Sequence, residues 1–260
     1  MRRPLKEAMK ILVTFALETE FAPWRRLRSF QPRSGGADAG YEARIGDADV
    51  RVVLTGVGET HARRAVRQAL ADAPDAFIVS GLAGSLKTNH RPGDVLVAAA
   101  VREASRAQIF RSEGALLETA AVLGARRVPM FVTVAQVALK AEEKKRLSLA
   151  GDAVDMESFT AMAETAAQNF PSVAIRAISD GVDEDIPLDF NRVLNERGGI
   201  QVSRVLGRLA LAPHRLPGLL RLSRNSRRAA EKLGRFLDLY VMHLSNRAHT
   251  AESLAEAVAI

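Results

Sequence analysis

The feature that most restricts the fold is an alternation of short, β-branched apolar runs with stretches of helical periodicity. The runs "KILVTF" (10–15), "DAFIVS" (75–80), "GDVLVAAAV" (93–101), "RVPMFVTV" (127–134) and "SVAIRAIS" (172–179) read as buried strands. Between them, "GETHARRAVRQALAD" (58–72), "AEEKKRLSLAG" (141–151) and "SFTAMAETAAQNF" (158–170) read as helices, with Thr60 as N-cap of the first and Gly151 closing the second. "YEARI" and "VRVVLT" flank "GDAD" (46–49), which predicts a hairpin. Strands that are apolar throughout and alternate with helices imply an α/β domain, its mixed, largely parallel sheet covered on both faces. In such a sheet ligands collect beyond the carboxyl ends of the strands. That puts "FALETE" (15–20), "SGLAGS" (80–85) and "SDGVDED" (179–185) on one rim.

Composition narrows the chemistry. The chain has no cysteine, and His61, His90, His214, His243 and His249 show no ligand spacing, so no metal and no thiolate chemistry are expected. The apolar run after the basic "MRRPLKEAM" is too short for a signal peptide, so the expected location is cytoplasmic, with residues 1–8 a disordered extension. Residues 9–211 form the expected catalytic domain and 212–260 a helical extension. Residues 201–260 hold ten Arg and Lys against four acids and so carry +6 of the net +7, which argues against nucleic-acid binding by the whole protein. Leu219, Leu222, Ala229, Leu233, Phe236 and Tyr240 make an apolar helical stripe, with Arg221, Arg224, Arg228, Lys232 and Arg235 largely on another side. Such a helix either packs its stripe on the body or contacts an anionic membrane surface through 212–240.

Three motifs carry the candidate chemistry. In "SGLAGS", Gly81 and Gly84 let a ligand approach the backbone, with Leu82 and Ser85 beside them; the alternative is a tight turn that needs glycine. In "VDMES" (154–158), Asp155 and Glu157 bracket Met156 and point in different directions. A carboxylate beside a thioether suits a sugar, and an acid that complements a helix dipole is the other reading. Of Asp180, Asp183, Glu184 and Asp185, only Asp180 adjoins the apolar run, as the first acid past the strand. The other three belong to the following loop, which lacks the alternating oxygen ligands of a calcium site.

"FALETE", "SGLAGS", "GDVLVA", "VDMES" and "IRAISD" occur in the order, and at about the spacing, of the bacterial methylthioadenosine/S-adenosylhomocysteine nucleosidases. The chain thus resembles the nucleoside phosphorylase superfamily over residues 9–190. The resemblance implies a three-layer α/β/α fold, cleavage of an N-glycosidic bond without a cofactor, a small-molecule nucleoside substrate, and a homodimer or larger homo-oligomer. It implies that Asp180 serves N7 of a departing purine, oriented by Ser179. It further implies that Glu157 grips the ribose hydroxyls with Met156 against the sugar, and that Glu20 activates water. It assigns the "VTVAQVA" segment (132–138), with Gln136 and Val137, to the wall of the base, although no aromatic ring is present there.

Departures from the pattern bear on the nucleophile. Val79 and Leu82 replace an arginine and a hydroxyl residue of the phosphorolytic members, which favours water over phosphate unless Ser85, Arg25, Arg26 or Arg51 rebuilds a phosphate site. A nucleoside-binding module without catalysis is the remaining alternative. The long basic ending and "FALETEFAPW" are more similar to the hopanoid-associated phosphorylases, for which a lipid-linked adenosine and the periphery of the inner membrane are the expectation.

Overall fold

A computed structural model describes residues 8–33, 40–189 and 213–258, with side chains to Asn246. The expected extension 1–8 (apart from Ala8) and the expected 211/212 boundary lie outside these residues. So do residues 190–212 and 259–260.

The apolar runs form one sheet. Its strands are β1 (Met9–Phe15), β2 (Gln31–Pro32), β3 (Gly40–Ile45), β4 (Ala48–Leu54), β5 (Ala76–Ser85), β6 (Val95–Glu103), β7 (Ile109–Arg111), β8 (Arg126–Thr133), β9 (Ala153–Asp155) and β10 (Ser172–Asp180). The order is β10-β6-β8-β9-β5-β1-β4-β3-β2, with β7 on β6, and β10 also pairs β5. That extra pairing closes β10, β6, β8, β9 and β5 into a ring. β5 makes it possible by pairing with β1 over its first half, with β10 along most of its length and with β9 at Gly84 and Ser85. The parallel pairs β1–β4, β1–β5, β5–β10, β6–β8 and β8–β9 run through the middle, and the expected hairpin is the antiparallel pair β3–β4.

Helices cover both faces, as strands apolar on both sides require. They are α1 (Glu18–Leu27), α2 (Glu59–Ala69), α3 (Gly114–Val122), α4 (Ala141–Leu147), α5 (Ser158–Ala167) and α6 (Leu216–Val258). Phe21 and Trp24 of α1, Leu116 and Leu117 of α3, and Leu233, Leu237 and Tyr240 of α6 share one core with β1 and β10. Val66 of α2 and Met162 of α5 belong to the core on the opposite face. This is the expected three-layer arrangement.

Three local expectations are corrected. α2 starts at Glu59, with Gly58 at its N-cap and no side-chain cap, so Thr60 lies inside the first turn. Gly58 has φ +95°, a conformation that suits glycine. "SGLAGS" is the end of strand β5 and not a turn. Its glycines serve close approach within a strand: a Cβ at Gly84 would lie 3.0 Å from Asp180 Oδ2, and one at Gly81 3.2 Å from Glu20 Oε2. α4 ends at Leu147, four residues before Gly151.

α6 packs its stripe on the body. Ala229, Leu233, Leu237, Tyr240 and Leu244 are buried, while Arg221, Arg224, Arg228, Lys232 and Arg235 are exposed. Asp238 accepts a bidentate pair of bonds from Arg28 (2.6 and 2.9 Å), and the Tyr240 hydroxyl donates to Leu116 O at 2.8 Å. Among the described residues no helix is long and apolar enough to cross a membrane.

Candidate active site

A cavity of about 220 Å³ opens where the carboxyl ends of β5, β9 and β10 meet α1, α4 and α6. Glu20, Leu82, Gly84, Val137, Met156, Glu157, Ser179 and Asp180 line it, and so do Lys144, Leu222 and Ser226.

β10 is buried at every residue, and its register on β5 shifts between Ile178 and Asp180. In a regular strand neighbouring side chains point to opposite faces; this irregularity lets Ser179 and Asp180 both line the cavity. Asp180 is therefore the last residue of the strand and not the first beyond it. The Ser179 hydroxyl donates to Asp180 Oδ1 at 2.5 Å, and the Lys144 ammonium pairs with Oδ2. Both groups of that ion pair are buried.

Glu20 stands at the third position of α1 and folds back over the helix start. Its Oε2 accepts from Ala16 N (3.0 Å) and Leu17 N (3.2 Å), and its Oε1 from Leu82 N (3.2 Å). Burial pushes its carboxyl above the ordinary range, against the opposing pull of Arg176 and the three amides. Glu157 accepts from Gly58 N at 2.9 Å. Its carboxyl is pushed up to about 7, first by burial and then by the nearby Asp155 and Glu20 charges, with Arg176 opposing.

Arg176 sits behind these acids, 1% exposed. It pairs with Asp155 at 2.8 Å, reaches Glu157 at 3.8 Å and donates to Ser158 Oγ and Ser80 O. Asp155 also accepts from Thr133 Oγ1 (2.7 Å) and from Ser158 N (3.3 Å) at the start of α5. Both acids of "VDMES" line the cavity, and Asp155 also anchors the start of α5 and the arginine. Neither Asp155, Arg176 nor Lys144 was singled out as a site residue from the sequence.

Three expected substrate-binding residues lie outside the lining. The Ser85 hydroxyl is buried in the turn that follows, bonded to Lys87 N and O. Gln136 is exposed, and Gly81 lies behind the surface against Arg176 and Glu20. The arginines considered for phosphate are elsewhere too. Arg25 pairs with Glu18 at 3.0 Å, and Arg51 pairs with Asp72 beside a second groove that includes Lys10 and Arg33. Among the described lining residues Lys144 is the sole Lys or Arg.

The family model of the phosphorylase superfamily matches residues 10–209. The chain belongs to that superfamily. No curated protein matches it closely enough to count as a relative. Solved structures similar to it include the 5′-methylthioadenosine/S-adenosylhomocysteine nucleosidase of Helicobacter pylori, with a TM-score of 0.70 and 18% identity over 91% of this chain and 99% of that one. The futalosine hydrolase of the same organism gives 0.69 and 16% over 90% and 98%. The nucleosidase of Neisseria meningitidis gives 0.69 and 19% over 90% and 99%. At such identities the likeness is one of fold. Coverage of 91% leaves about 23 residues of this phosphorylase-superfamily chain unmatched, fewer than lie in 212–260, so the shared fold takes in part of the C-terminal region.

Proposed function

We infer that the protein is an N-ribosyl hydrolase that releases adenine from a 5′-substituted adenosine. The observation that carries this reading is the placement of Glu20 and Asp180 over one strand. Glu20 is held at Leu82 and Asp180 packs over Gly84, so the two stand roughly 7 Å apart along β5. Glu157 faces the same cavity.

The division of labour follows from bond-making and bond-breaking. As the C1′–N9 bond breaks, its electrons pass into the purine, and a proton delivered to N7 by Asp180 lets the base leave neutral. The sugar becomes oxocarbenium-like, and the Glu157 carboxylate accepts hydrogen bonds from its hydroxyls beside the Met156 thioether. Water attacks the far face of C1′ and gives its proton to Glu20, whose raised pKa makes it a stronger base than an ordinary carboxylate. The absence of arginine among the described lining residues favours water over phosphate as nucleophile.

The test is release of free base from methylthioadenosine, S-adenosylhomocysteine, adenosine and inosine in phosphate-free buffer, with Asp180→Asn as control. Adenine released with the free, still 5′-substituted sugar, and an inert Asp180→Asn variant, are expected. Ribose 1-phosphate formed only with phosphate present would replace hydrolysis by phosphorolysis. Nucleoside binding without base release would favour a binding module. The homo-oligomer belongs to the same proposal and is read by sedimentation equilibrium.

A second reading concerns the substrate's 5′ group. Leu222 and Ser226 of α6 line the cavity, while Leu216 and Leu220 on the same helix are 40% and 55% exposed among Arg215, Arg221 and Arg224. An apolar, basic ridge next to the cavity suits a lipid-linked nucleoside, such as an adenosylhopane, drawn from an anionic bilayer by a cytoplasmic protein. Co-sedimentation with vesicles containing anionic lipid should weaken about tenfold when Arg221, Arg224 and Arg228 are changed to Gln. Equal pelleting would remove this reading.

A further inference from the structure

Apart from Asp155, which Arg176 and Thr133 hold, Lys144 is the one charged side chain among the described lining residues that the reaction above does not use. It belongs to α4, in a run of charges whose other members face water: Lys140 pairs with Asp185 and Lys145 with Asp183, both pairs exposed. Lys144 points inward instead, 1% exposed. Its ammonium meets Asp180 Oδ2, Gly181 O at 3.0 Å and Glu184 O at 2.9 Å, one partner for each N–H. A lysine so fully removed from water is rare without a compensating partner, and here the partner is the acid assigned to the leaving group.

We propose that Lys144 is the proton source behind Asp180, a proposal that rests on the N-ribosyl hydrolase reading. As the C1′–N9 bond breaks, Lys144 Nζ gives a proton to the Asp180 carboxylate, which hands it on to N7 and ends as the carboxylate it began. Adenine leaves as its neutral N7–H form, and Lys144 is left as a neutral amine. Its two remaining N–H groups match the two carbonyls it already holds, so the amine stays in place. At the other end of the cavity the attacking water yields one proton to Glu20, so the site neither gains nor loses a proton in the turnover. Exchange with solvent then returns Glu20 to carboxylate and Lys144 to ammonium. A lysine can give up a proton in this way; arginine, which stays charged, cannot. Arg176, the other buried cation nearby, touches Asp155 and Glu157 on the sugar side.

The titratable groups that face the pair are few. Glu184 caps Gly181 N at 3.3 Å, Asp185 lies close enough to feel the Lys144 charge, and Lys140 neutralises Asp185. Glu157 and Glu20 line the same cavity, and Asp183 is taken by Lys145.

The experiment compares wild type, Lys144→Gln and Lys144→Met on two substrates across pH. On methylthioadenosine, kcat is expected to fall about 100-fold with KM nearly unchanged. The alkaline limb of the kcat profile is expected to move to lower pH, because Asp180 must then draw its proton from solvent. On 4-nitrophenyl β-ribofuranoside, whose phenolate departs without a proton, both variants should stay within about threefold of wild type. Equal losses on both substrates would show that Lys144 only ties the strand end to the following loop. So would an unchanged alkaline limb in the Gln variant, which decides alone if wild type does not accept the nitrophenyl riboside. Thermal melting identifies any variant that fails to fold. Lys144→Arg then takes its place, with the same loss expected and wild-type rates on methylthioadenosine as the contrary result. A wild-type protein inert on every nucleoside defeats the hydrolase reading itself, whereas an inert Asp180→Asn beside a fully active Lys144→Gln defeats only the role of Lys144.

Discussion

At the scale of single residues, the site rests on acids kept out of water beside one buried guanidinium. Glu157 shows the consequence most clearly, since its carboxyl is raised to about 7 from an ordinary 4.5. A group whose folded pKa is raised contributes stability that is complete below its unfolded pKa and is lost as the pH rises through the folded value. Glu157→Gln should therefore melt higher than wild type at pH 8, by up to about 3 kcal/mol, with the advantage gone at pH 4. The same substitution should cost kcat/KM about tenfold or more, because hydrogen bonds to a charged acceptor are replaced by weaker ones. It should also abolish the rise in kcat/KM expected of wild type as pH increases through about 7; an unaltered acid limb would detach Glu157 from the sugar. Arg176→Met leaves Asp155 without its buried cation and should lower stability by about 3–5 kcal/mol in urea unfolding.

At the scale of elements, β5 and β10 place the chemistry, and their glycines and irregular register are the means. A methyl group at Gly84 would press on Asp180 Oδ2 at 3.0 Å and on Val154 at 3.3 Å. Gly84→Ala should therefore cut kcat about 100-fold through misplacement of Asp180, with a smaller effect on melting. Steady-state kinetics beside calorimetry separates the two. The same elements show what the sequence made legible. Apolar runs exposed the strands, and the short motifs around Glu20, Glu157 and Asp180 exposed three acids that the fold brings to one cavity. The glycines of "SGLAGS" were misleading because turns and close strand packing both select glycine, and only the partner across the gap tells them apart. Lys144 stayed hidden because α4 is a run of charges. Its position three residues after Ala141 and three before Leu147, on the stripe that turns toward the body, was the available signal. Arg176 was hidden in another way: a charge inside an apolar strand says that it is paired, not with what.

At the scale of the whole molecule, α6 links the core to the cavity. Its buried half packs on α1, where Gly234 lies against Trp24: a Cβ would stand 3.0 Å from the Trp24 backbone nitrogen. Its first turns carry Leu222 and Ser226 into the lining. Leu233→Ala should cost about 2–5 kcal/mol, as large-to-small changes in a packed core do, measured by urea unfolding. A cost near zero would mean that α6 is not part of the cooperative fold. Among the described residues, Arg221, Arg224, Arg227, Arg228, Lys232 and Arg235 put positive charge on the outer face of this packed helix. What the whole arrangement is inferred to do is cut one bond, between C1′ and N9 of an adenine nucleoside. The most direct measurement is turnover of methylthioadenosine in oxygen-18 water without phosphate, with mass analysis of the sugar. Free adenine and a 5-methylthioribose that carries the label at C1′ are expected from wild type and not from Asp180→Asn. Adenine formed only when phosphate is added, with an unlabelled 5-methylthioribose 1-phosphate, would contradict hydrolysis.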